Sequence, residues 1–329
     1  MKRKGIGIGC MWYGIGNTGI ANPASAFLEV LPDGTVNVTS GCLEIGQGST
    51  TVLSQIVAEE LGVAYEDVLV FMGDTRYSPE SGPTSASRQT VISGNAVRIA
   101  AREAKRKMIP VAAEMLAVPE EQLIFRNRNI FCEKNPEKCL SYKKLMQEMT
   151  KRGIQPIASG SYNPATMLDG TTMKGIPYES YSYATTIAQV EVDTETGCIE
   201  LQKVVSAHDL GKAINPITAE GQIEGGVVMA QGYVYMEETL VENGVILNSN
   251  YSRYLIPTAK DAPEIYPILV EEPSSTGPYG AKGLGEPALI AAIAAMVDAI
   301  EDAIGVRFCE LPIRPEDVLR KYQEKEHLN

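Results

Sequence analysis

The sequence predicts an α+β chain of two α/β subdomains, residues 1–160 and 161–329, in which hairpins and mixed sheets are followed by helices. Three observations carry that prediction. Alternating apolar runs flank turn signals at Pro32-Asp33-Gly34, Arg126-Asn127-Arg128-Asn129, Thr194-Glu195-Thr196-Gly197 and Glu242-Asn243-Gly244. Glycine-rich loops at Gly41–Gly48 and Gly277–Pro287, and a loop of small hydroxylated residues at Ser81–Thr90, each run into a helical pattern. The second half repeats the first half's order of strand pair, glycine loop and helix.

Composition narrows the function. With 44% apolar and 21% charged residues the chain reads as a soluble globular protein, expected in the cytoplasm. No apolar run reaches the ~20 residues that span a bilayer, and the nearest, Ala288–Ile300, suits a buried helix. A net charge of −12 argues against a nucleic-acid partner, because phosphate contacts need clustered Lys and Arg. The basic run Arg98–Lys107 reads as a solvated helix face. Six cysteines without a C-x-x-C pair, and only two histidines, leave no zinc or iron–sulfur ligand set, so no metal-ligating residue is assigned and the thiols are expected reduced. Met1-Lys2-Arg3-Lys4 before an apolar stretch mimics a secretory signal, but Gly5, Gly7, Gly9, Gly14 and Gly16 break its helix, and the segment reads as part of the fold.

Taken in order, Gly5-Ile6-Gly7-Ile8-Gly9 predicts a strand approached closely by other backbone. It lacks the Gly-x-Gly-x-x-Gly dinucleotide fingerprint. Strands at Ala26–Leu31 and Thr35–Ser40 deliver the chain into Gly41–Gly48. Ser49 or Thr50 then caps a helix, Thr51–Leu61, striped by Val52, Leu53, Ile56, Val57 and Leu61. This helix mouth suits an anion, though the Walker lysine is absent, and Gln47 is placed to bond a ligand through its amide. A strand at Val68–Met72 leads to Ser81–Thr90, where small hydroxylated residues surround Arg88 at the start of a helix over about Arg88–Leu116. Val118–Arg152 reads as a polar linker with one hairpin. Strands at Thr185–Val192 and Cys198–His208 precede a helix, about Ile217–Tyr235, whose internal glycines imply close approach by another element or a ligand. A strand near Ile265–Val270 follows. Then comes Gly277-Pro278-Tyr279-Gly280-Ala281-Lys282-Gly283-Leu284-Gly285-Glu286-Pro287. Proline favours the first helical position, so Glu286 stands at the mouth of the helix Ala288–Ile304, where the dipole favours a negative charge and suits it to act as a base. Leu289, Ile293, Met296, Ile300 and Ile304 are its expected apolar stripe. Asp298, Glu301 and Asp302 near its C-terminus oppose the dipole and are expected only to be solvated. Pro315 opens a short charged helix.

In combination, Glu44-Ile45-Gly46-Gln47-Gly48 and Gly283-Leu284-Gly285-Glu286-Pro287 resemble the molybdenum-binding part of the xanthine dehydrogenase/aldehyde oxidase family of molybdenum hydroxylases. Gly82–Val97 and His208–Gly232 match as well, so the resemblance covers nearly the whole chain. It implies the C-terminal half of a molybdopterin-binding subunit, with the other half on a partner chain. Within the family, the length, the split point and the opening Trp12-Tyr13-Gly14-Ile15-Gly16 segment resemble the medium molybdopterin subunit of nicotinate dehydrogenases. That implies a heteromer with a large molybdopterin subunit, an iron–sulfur subunit and an FAD subunit. Its implied cofactor is molybdopterin cytosine dinucleotide carrying molybdenum, shared with a partner, with sulfur or selenium on the metal. [2Fe–2S] clusters and FAD lie on other chains, and NADP belongs to the same reading.

Carried residue by residue, the resemblance makes Glu286 the general base that activates a metal-bound hydroxyl for attack on an electron-poor ring carbon, hydride passing to the metal-bound chalcogen. Gln47 and Gln231 match cofactor-bonding glutamines. Ala86 matches backbone beside the metal, and Ser87, Arg88 and Gln89 match pterin or nucleotide contacts. Gly48 and Lys282, in the same loops, complete the implied cofactor site. Tyr13 and Asn17 fall where xanthine-type enzymes sandwich substrate between two aromatics, and the amide at Asn17 favours nicotinate over a purine. The alternatives are a purine or aldehyde dehydrogenase subunit of the same family, or a non-catalytic scaffold half.

Overall fold

The computed structural model describes residues 1–328. In chain order the first elements are strands β1 (Lys2–Gly14), β2 (Ala24–Val30) and β3 (Val36–Ser40), helix α1 (Ser49–Leu61), strand β4 (Val68–Phe71) and helix α2 (Gly94–Leu116). Strands β5 (Leu123–Arg126), β6 (Asn129–Cys132) and β7 (Asn135–Ser141), helix α3 (Tyr142–Lys151) and strand β8 (Ile157–Tyr162) follow. Two short pairing strands, β9 (Met167–Leu168) and β10 (Gly175–Ile176), precede β11 (Tyr181–Asp193), β12 (Ile199–Asp209) and helix α4 (Pro216–Tyr235). The rest comprises β13 (Val241–Glu242), β14 (Val245–Ile246), β15 (Glu264–Val270), α5 (Pro287–Ile304) and α6 (Pro315–Leu328). This mixed architecture, with hairpins and mixed sheets followed by helices, is the α+β class expected. No helix among the described residues is long and apolar enough to cross a membrane.

The chain forms two compact units threaded in alternation. The first comprises Met1–Tyr13, Tyr181–Glu272 and Leu284–Asn329, and the second Gly14–Ser180 and Pro273–Gly283.

In the first unit a four-stranded sheet has the order β1-β11-β12-β15. β11 and β12 pair antiparallel, with Ala184 opposite His208 and Ile187 opposite Val205. β12 and β15 pair parallel, which demands a crossover, and α4 lies in that connection. One sheet face packs on α4 and α5 through Ala188, Val190, Val204, Val227, Val234, Ala295, Met296 and Ile300. The edge strand β1 is held to α5 by a seam of glycines. A Cβ placed on Gly5 would lie 2.1 Å from Ala299 O, one on Gly7 2.2 Å from Ala295 O, and one on Gly9 2.1 Å from Ala291 O. Only glycine permits that approach, so the strand expected to be crowded by backbone is crowded by a helix. The buried face of α5 is shared by alanines and by Met296, Ile300 and Ile304 of the expected stripe, with Leu289 and Ile293 only partly buried. Asp298 and Asp302 are not merely solvated. Their carboxylates accept the Ile8 and Ile6 backbone N–H groups at 3.0 and 2.8 Å, which satisfies donors of an edge strand.

In the second unit the sheet order is β4-β3-β2-β8. β2 pairs antiparallel with β3 and β8, whereas β3 pairs parallel with β4. α1 and α2 pack against one another and α2 lies along β8, where a Cβ on Gly160 would come 2.2 Å from Ala96 O. Residues 118–152 are more than a linker. They fold as a three-stranded meander, β5-β6-β7, followed by α3. Ser141 caps α3 by accepting from Lys144 N, and Tyr142, Leu145, Met146 and Met149 form its buried stripe. Four apolar residues in a lysine-rich stretch are enough to make an amphipathic helix, although its average composition is polar.

The seam predicts a specific sensitivity. Gly7→Ala is expected to destabilise the chain by about 1–3 kcal/mol or more, as overpacking against rigid backbone does, read as a lowered urea midpoint. Ile6→Ala, on the opposite strand face, should change stability far less.

Candidate active site

Glu286 is the residue before the first turn of α5. Its backbone is helical (φ −71°, ψ −38°), Pro287 occupies the first helical position, and its side chain makes no capping bond. The half-buried carboxylate instead accepts a hydrogen bond from the Tyr13 hydroxyl at the end of β1. The seam explains this meeting. Gly5, Gly7, Gly9, Met11 and Tyr13 lie on one face of β1, and each two-residue step along the strand (~6.7 Å) matches one four-residue step along α5 (~6 Å). Met11 packs with Ala291 and Ala184, and the next inward position, Tyr13, reaches Glu286. α4 closes on the same turn of the helix, since a Cβ on Gly226 would lie 2.6 Å from Ala288 Cβ.

Beneath Ala184 runs a buried polar chain. His208 Nε2 is 2.8 Å from Ser206 Oγ, which is 2.6 Å from Thr186 Oγ1. His208 Nδ1 has no hydrogen-bond partner among the described residues, and burial pushes the imidazole pKa down from 6.5 to about 4. Gln231, buried on α4, donates to Asp261 O at 2.8 Å, while its Oε1 has no partner among the described residues. The expectation for internal glycines of α4 holds for Gly226, and for Gly232 beside Glu237 and Pro257. Nothing lies within 4 Å of a Cβ placed on Gly221 or Gly225.

The second unit holds the other expected residues. α1 is capped neither by Ser49 nor by Thr50 but begins after Gly48, in the left-handed region at φ 85°. The anion at this helix mouth is the chain's own Glu44, whose carboxylate accepts from Gly46 N (2.8 Å), Gly48 N (3.0 Å) and Thr50 N (2.9 Å). Partial burial would raise the Glu44 pKa, but the N–H groups of Thr50, Gly48 and Gly46 outweigh it and hold the carboxyl below its usual range. The mouth expected to suit a phosphate is thus already occupied by a carboxylate. Gln47 spends its amide within the same loop, donating to Leu43 O (2.8 Å) and Ser49 Oγ (2.7 Å) and accepting from Ile45 N (2.7 Å).

Ala86 and Ser87 both adopt left-handed backbone, at φ 53° and 49°, a costly arrangement for non-glycine residues. Their peptides are clamped from two sides. Gly16 N donates to Ala86 O at 2.9 Å, and a Cβ on Gly283 would lie 1.9 Å from Ser87 O. Arg88 is fully buried, and its guanidinium donates to Asn22 Oδ1, Ser81 O, Pro83 O, Asn22 O and Pro23 O. Gln89 donates to Pro83 O and Thr84 Oγ1 and accepts from Ser93. Both side chains therefore shape the loop. The expected helix from Arg88 begins as a π-turn, Gln89–Ser93, before α2 proper, a distortion frequent at functional sites. Asn17 donates to Asn22 Oδ1 at 3.2 Å, and Lys282 is half-buried beside Gly283. The strap Pro273–Gly283 is fastened by Asn95 Nδ2 to Thr276 O (2.8 Å) and by Tyr279 Oη to Glu60 (2.9 Å). Arg98 bonds the same carboxylate at 3.0 Å and stacks over the Tyr279 ring. Sequence reading gave no role to Glu44, Glu60 or His208, because nothing in the local pattern marks Glu44 as bonded to backbone, Glu60 as bonded to Arg98 and Tyr279, or His208 as buried.

Residues 1–263 match the molybdopterin cofactor-binding domain family, which is four-fifths of the chain. The chain belongs to that family. The xanthine dehydrogenase molybdenum-binding subunit of Escherichia coli O157:H7 is 33% identical over 98% of this chain and 42% of its own length. The 6-hydroxypseudooxynicotine dehydrogenase complex subunit gamma of Paenarthrobacter nicotinovorans is also 33% identical, over 98% of this chain and 40% of that protein. Among solved structures, quinoline 2-oxidoreductase from Pseudomonas putida 86 superposes with a TM-score of 0.85 at 27% identity, covering 98% of this chain and 42% of that one. This molybdopterin-binding chain therefore spans less than half the length of the relatives it matches.

His208 gives a pH test. Its folded pKa of about 4 lies below the ordinary 6.5, so its contribution is complete above about pH 6.5 and is lost as the pH falls toward 4, at up to ~1.4 kcal/mol per unit. Urea unfolding across this window should show a steeper acid loss for the native chain than for His208→Gln.

Proposed function

We propose that this chain is the C-terminal half of the molybdenum subunit of a hydroxylase that uses water to hydroxylate an electron-poor ring carbon of nicotinate, with Glu286 as its base. The observation that carries the reading is the carboxylate held at the mouth of α5 by Tyr13. The cofactor, molybdopterin cytosine dinucleotide, would supply the oxygen to be activated and accept the two electrons. The residues present fit a bulky cofactor held largely by backbone. In the second unit Ala86 and Ser87 are fixed in left-handed conformations and Gly46 has nothing within 4 Å of its Cβ position; in the first unit, taken by itself, Gly221 and Gly225 leave one side of α4 open. The proposed binding residues are Gln47, Gly48, Ala86, Ser87 to Gln89 and Lys282 in the second unit and Gln231 in the first. Arg88 and Gln89 act there through backbone, since their side chains are engaged.

In this reading Glu286 accepts the proton released when oxygen is transferred, and Tyr13 fixes which oxygen of the carboxylate faces the reaction. A hydrogen bond to a charged group in a half-buried place is worth enough to hold a single rotamer. The catalytic complex would include a large molybdopterin subunit, an iron–sulfur subunit and an FAD subunit. Asn17, an amide where purine enzymes place an aromatic, supports nicotinate, for which selenium on the metal and NADP as acceptor are the corresponding finer assignments. A second reading, a xanthine dehydrogenase subunit, draws support from the relative of that name at 33% identity. Turnover on nicotinate, xanthine and a simple aldehyde separates them, and a Mo:Se ratio near one in the purified complex is expected only for the first.

Glu286→Gln is expected to lower kcat by about 10²–10⁴-fold, the range of a lost general base, with molybdenum content unchanged. An active variant would remove the base from Glu286. Tyr13→Phe keeps the ring and loses the hydroxyl. It should lower kcat about tenfold or more, the effect of one hydrogen bond to a charged group, with KM nearly unchanged. A raised KM at constant kcat would instead place Tyr13 against the substrate.

A further inference from the structure

The first unit's sheet is covered by helices on one face only. On the other face the inward glycines of β1 alternate with Ile6, Ile8, Cys10 and Trp12, all exposed, with Ile8 at 57% and Trp12 at 69%. Next to them on β11 stand Tyr183 and Ile187, also exposed. The rows Ile187–Val205–Tyr266 and Thr185–Ala207–Ile268 continue the surface across β12 and β15. Cys10 Sγ lies 3.4 Å from Thr185 Oγ1, and the Trp12 and Tyr181 rings stand 5.2 Å apart, which puts β1 and β11 side chains on the same face. Four strands ~4.8 Å apart and a run of ~20 Å along β1 give an apolar area of roughly 400 Å². Charged side chains gather at one end, as the pairs Lys2–Glu191 (2.5 Å) and Lys203–Glu264 (3.9 Å). An apolar centre with an ionic margin is the anatomy of a protein interface, and a contiguous patch of this size is often a functional one.

We propose that this sheet face is the seat of the polypeptide that supplies the remainder of the molybdenum subunit, whether continuous with this chain or separate from it. The inference rests on membership of the family and not on the substrate assigned above. Relatives that match 98% of this chain are more than twice as long, so the fold is built with a second body of comparable size that must cover apolar surface somewhere. The open face is what a missing layer would leave, since one side of a sheet buried and the other apolar and bare is not a stable end state. A nucleic acid or anionic lipid surface is disfavoured by the net charge of −12 and by a centre without Lys or Arg.

Cys10 is a native probe in the middle of this face. Alkylation with N-ethylmaleimide, read by peptide mass spectrometry, compares the assembled enzyme with the 329-residue chain alone; buried Cys42 and Cys132 report that the chain is folded, and exposed Cys139 in the second unit serves as the reference. Relative to Cys139, Cys10 should react about tenfold or more slowly in the assembly, as the buried centre of an interface does. An equal rate overturns the proposal. An Ile8→Glu/Ile187→Glu chain should regain Cys10 reactivity in the assembly by a similar factor with its thermal unfolding midpoint retained, and continued protection overturns it. Protection in the chain alone that disappears on dilution identifies a second copy as the occupant, and protection by phosphatidylcholine–phosphatidylglycerol vesicles identifies a membrane. Either result overturns the proposal. None of these outcomes alters what Glu286→Gln reports, so the seat and the catalytic reading fail separately.

Discussion

The contact on which the first unit depends is the approach of β1 to α5 without side chains between them. A strand normally meets a helix through a layer of side chains, which blurs the register between the two. Here glycine faces alanine at three successive steps, and backbone meets backbone. Close packing of this kind tolerates no sliding, because a shift by one residue in β1 would drive an isoleucine into the helix. The register at the glycine end therefore fixes what meets at the other end, where the seam widens to admit Met11 and then Tyr13. A hydroxyl and a carboxylate from residues 273 positions apart in sequence are brought to hydrogen-bonding contact by a constraint that lies entirely away from them.

The two ends of α5 use carboxylates in opposite ways. At the C-terminal end Asp298 and Asp302 work against the dipole, at an expected cost of a few tenths of a kcal/mol to about 1 kcal/mol each. That is offset by satisfying two edge N–H groups of β1, which also closes the strand edge to other chains. At the N-terminal end the dipole favours charge, and Glu286 is not consumed by capping. On α5 the structural acids stand where charge is disfavoured, and the acid proposed as the base stands where it is favoured. The carboxylates of Glu44 and Glu60 in the second unit are structural in the same sense, each holding a loop through backbone N–H, hydroxyl or guanidinium donors.

Much of this was legible in the residues, and for reasons that can be named. Alternating glycine in β1 announced backbone contact because no other residue type permits it. Pro287 marked a helix start and so placed Glu286. The turn dipeptides located the hairpins that bound β2, β6, β12 and β14. What stayed hidden depended on partners far away in sequence. The family resemblance implies that Arg88 contacts the cofactor, and small hydroxylated residues around a guanidinium suit an anion, but its side-chain donors go to five protein acceptors. The expected stripe of α5 is buried at Met296, Ile300 and Ile304 but only partly at Leu289 and Ile293, while Ala291, Ala295 and Ala299 are buried as well because the glycines of β1 face them. Helix α3 was masked by its lysines, since composition averages over the face that packs.

The engaged side chains of the second unit carry one more consequence. Two successive left-handed residues cost of order 1–2 kcal/mol each, and an unsupported loop would relax away from them. Arg88 prevents that by bonding the carbonyls on both sides, at Ser81 and Pro83 and at Asn22 and Pro23, while Gly16 and Gly283 hold the Ala86–Ser87 peptides from outside. The amides of Gln47 and Gln89 are spent in the same way. Side chains that could have bonded a ligand instead fix the direction of the backbone groups around them, and the ordering cost is met in folding, before any ligand arrives. At the cofactor site proposed above, such a frame would select a ligand by shape and by hydrogen-bond direction more than by charge. In the first unit, the carboxylate of Glu286 accepts from the Tyr13 hydroxyl and is the group proposed for proton transfer.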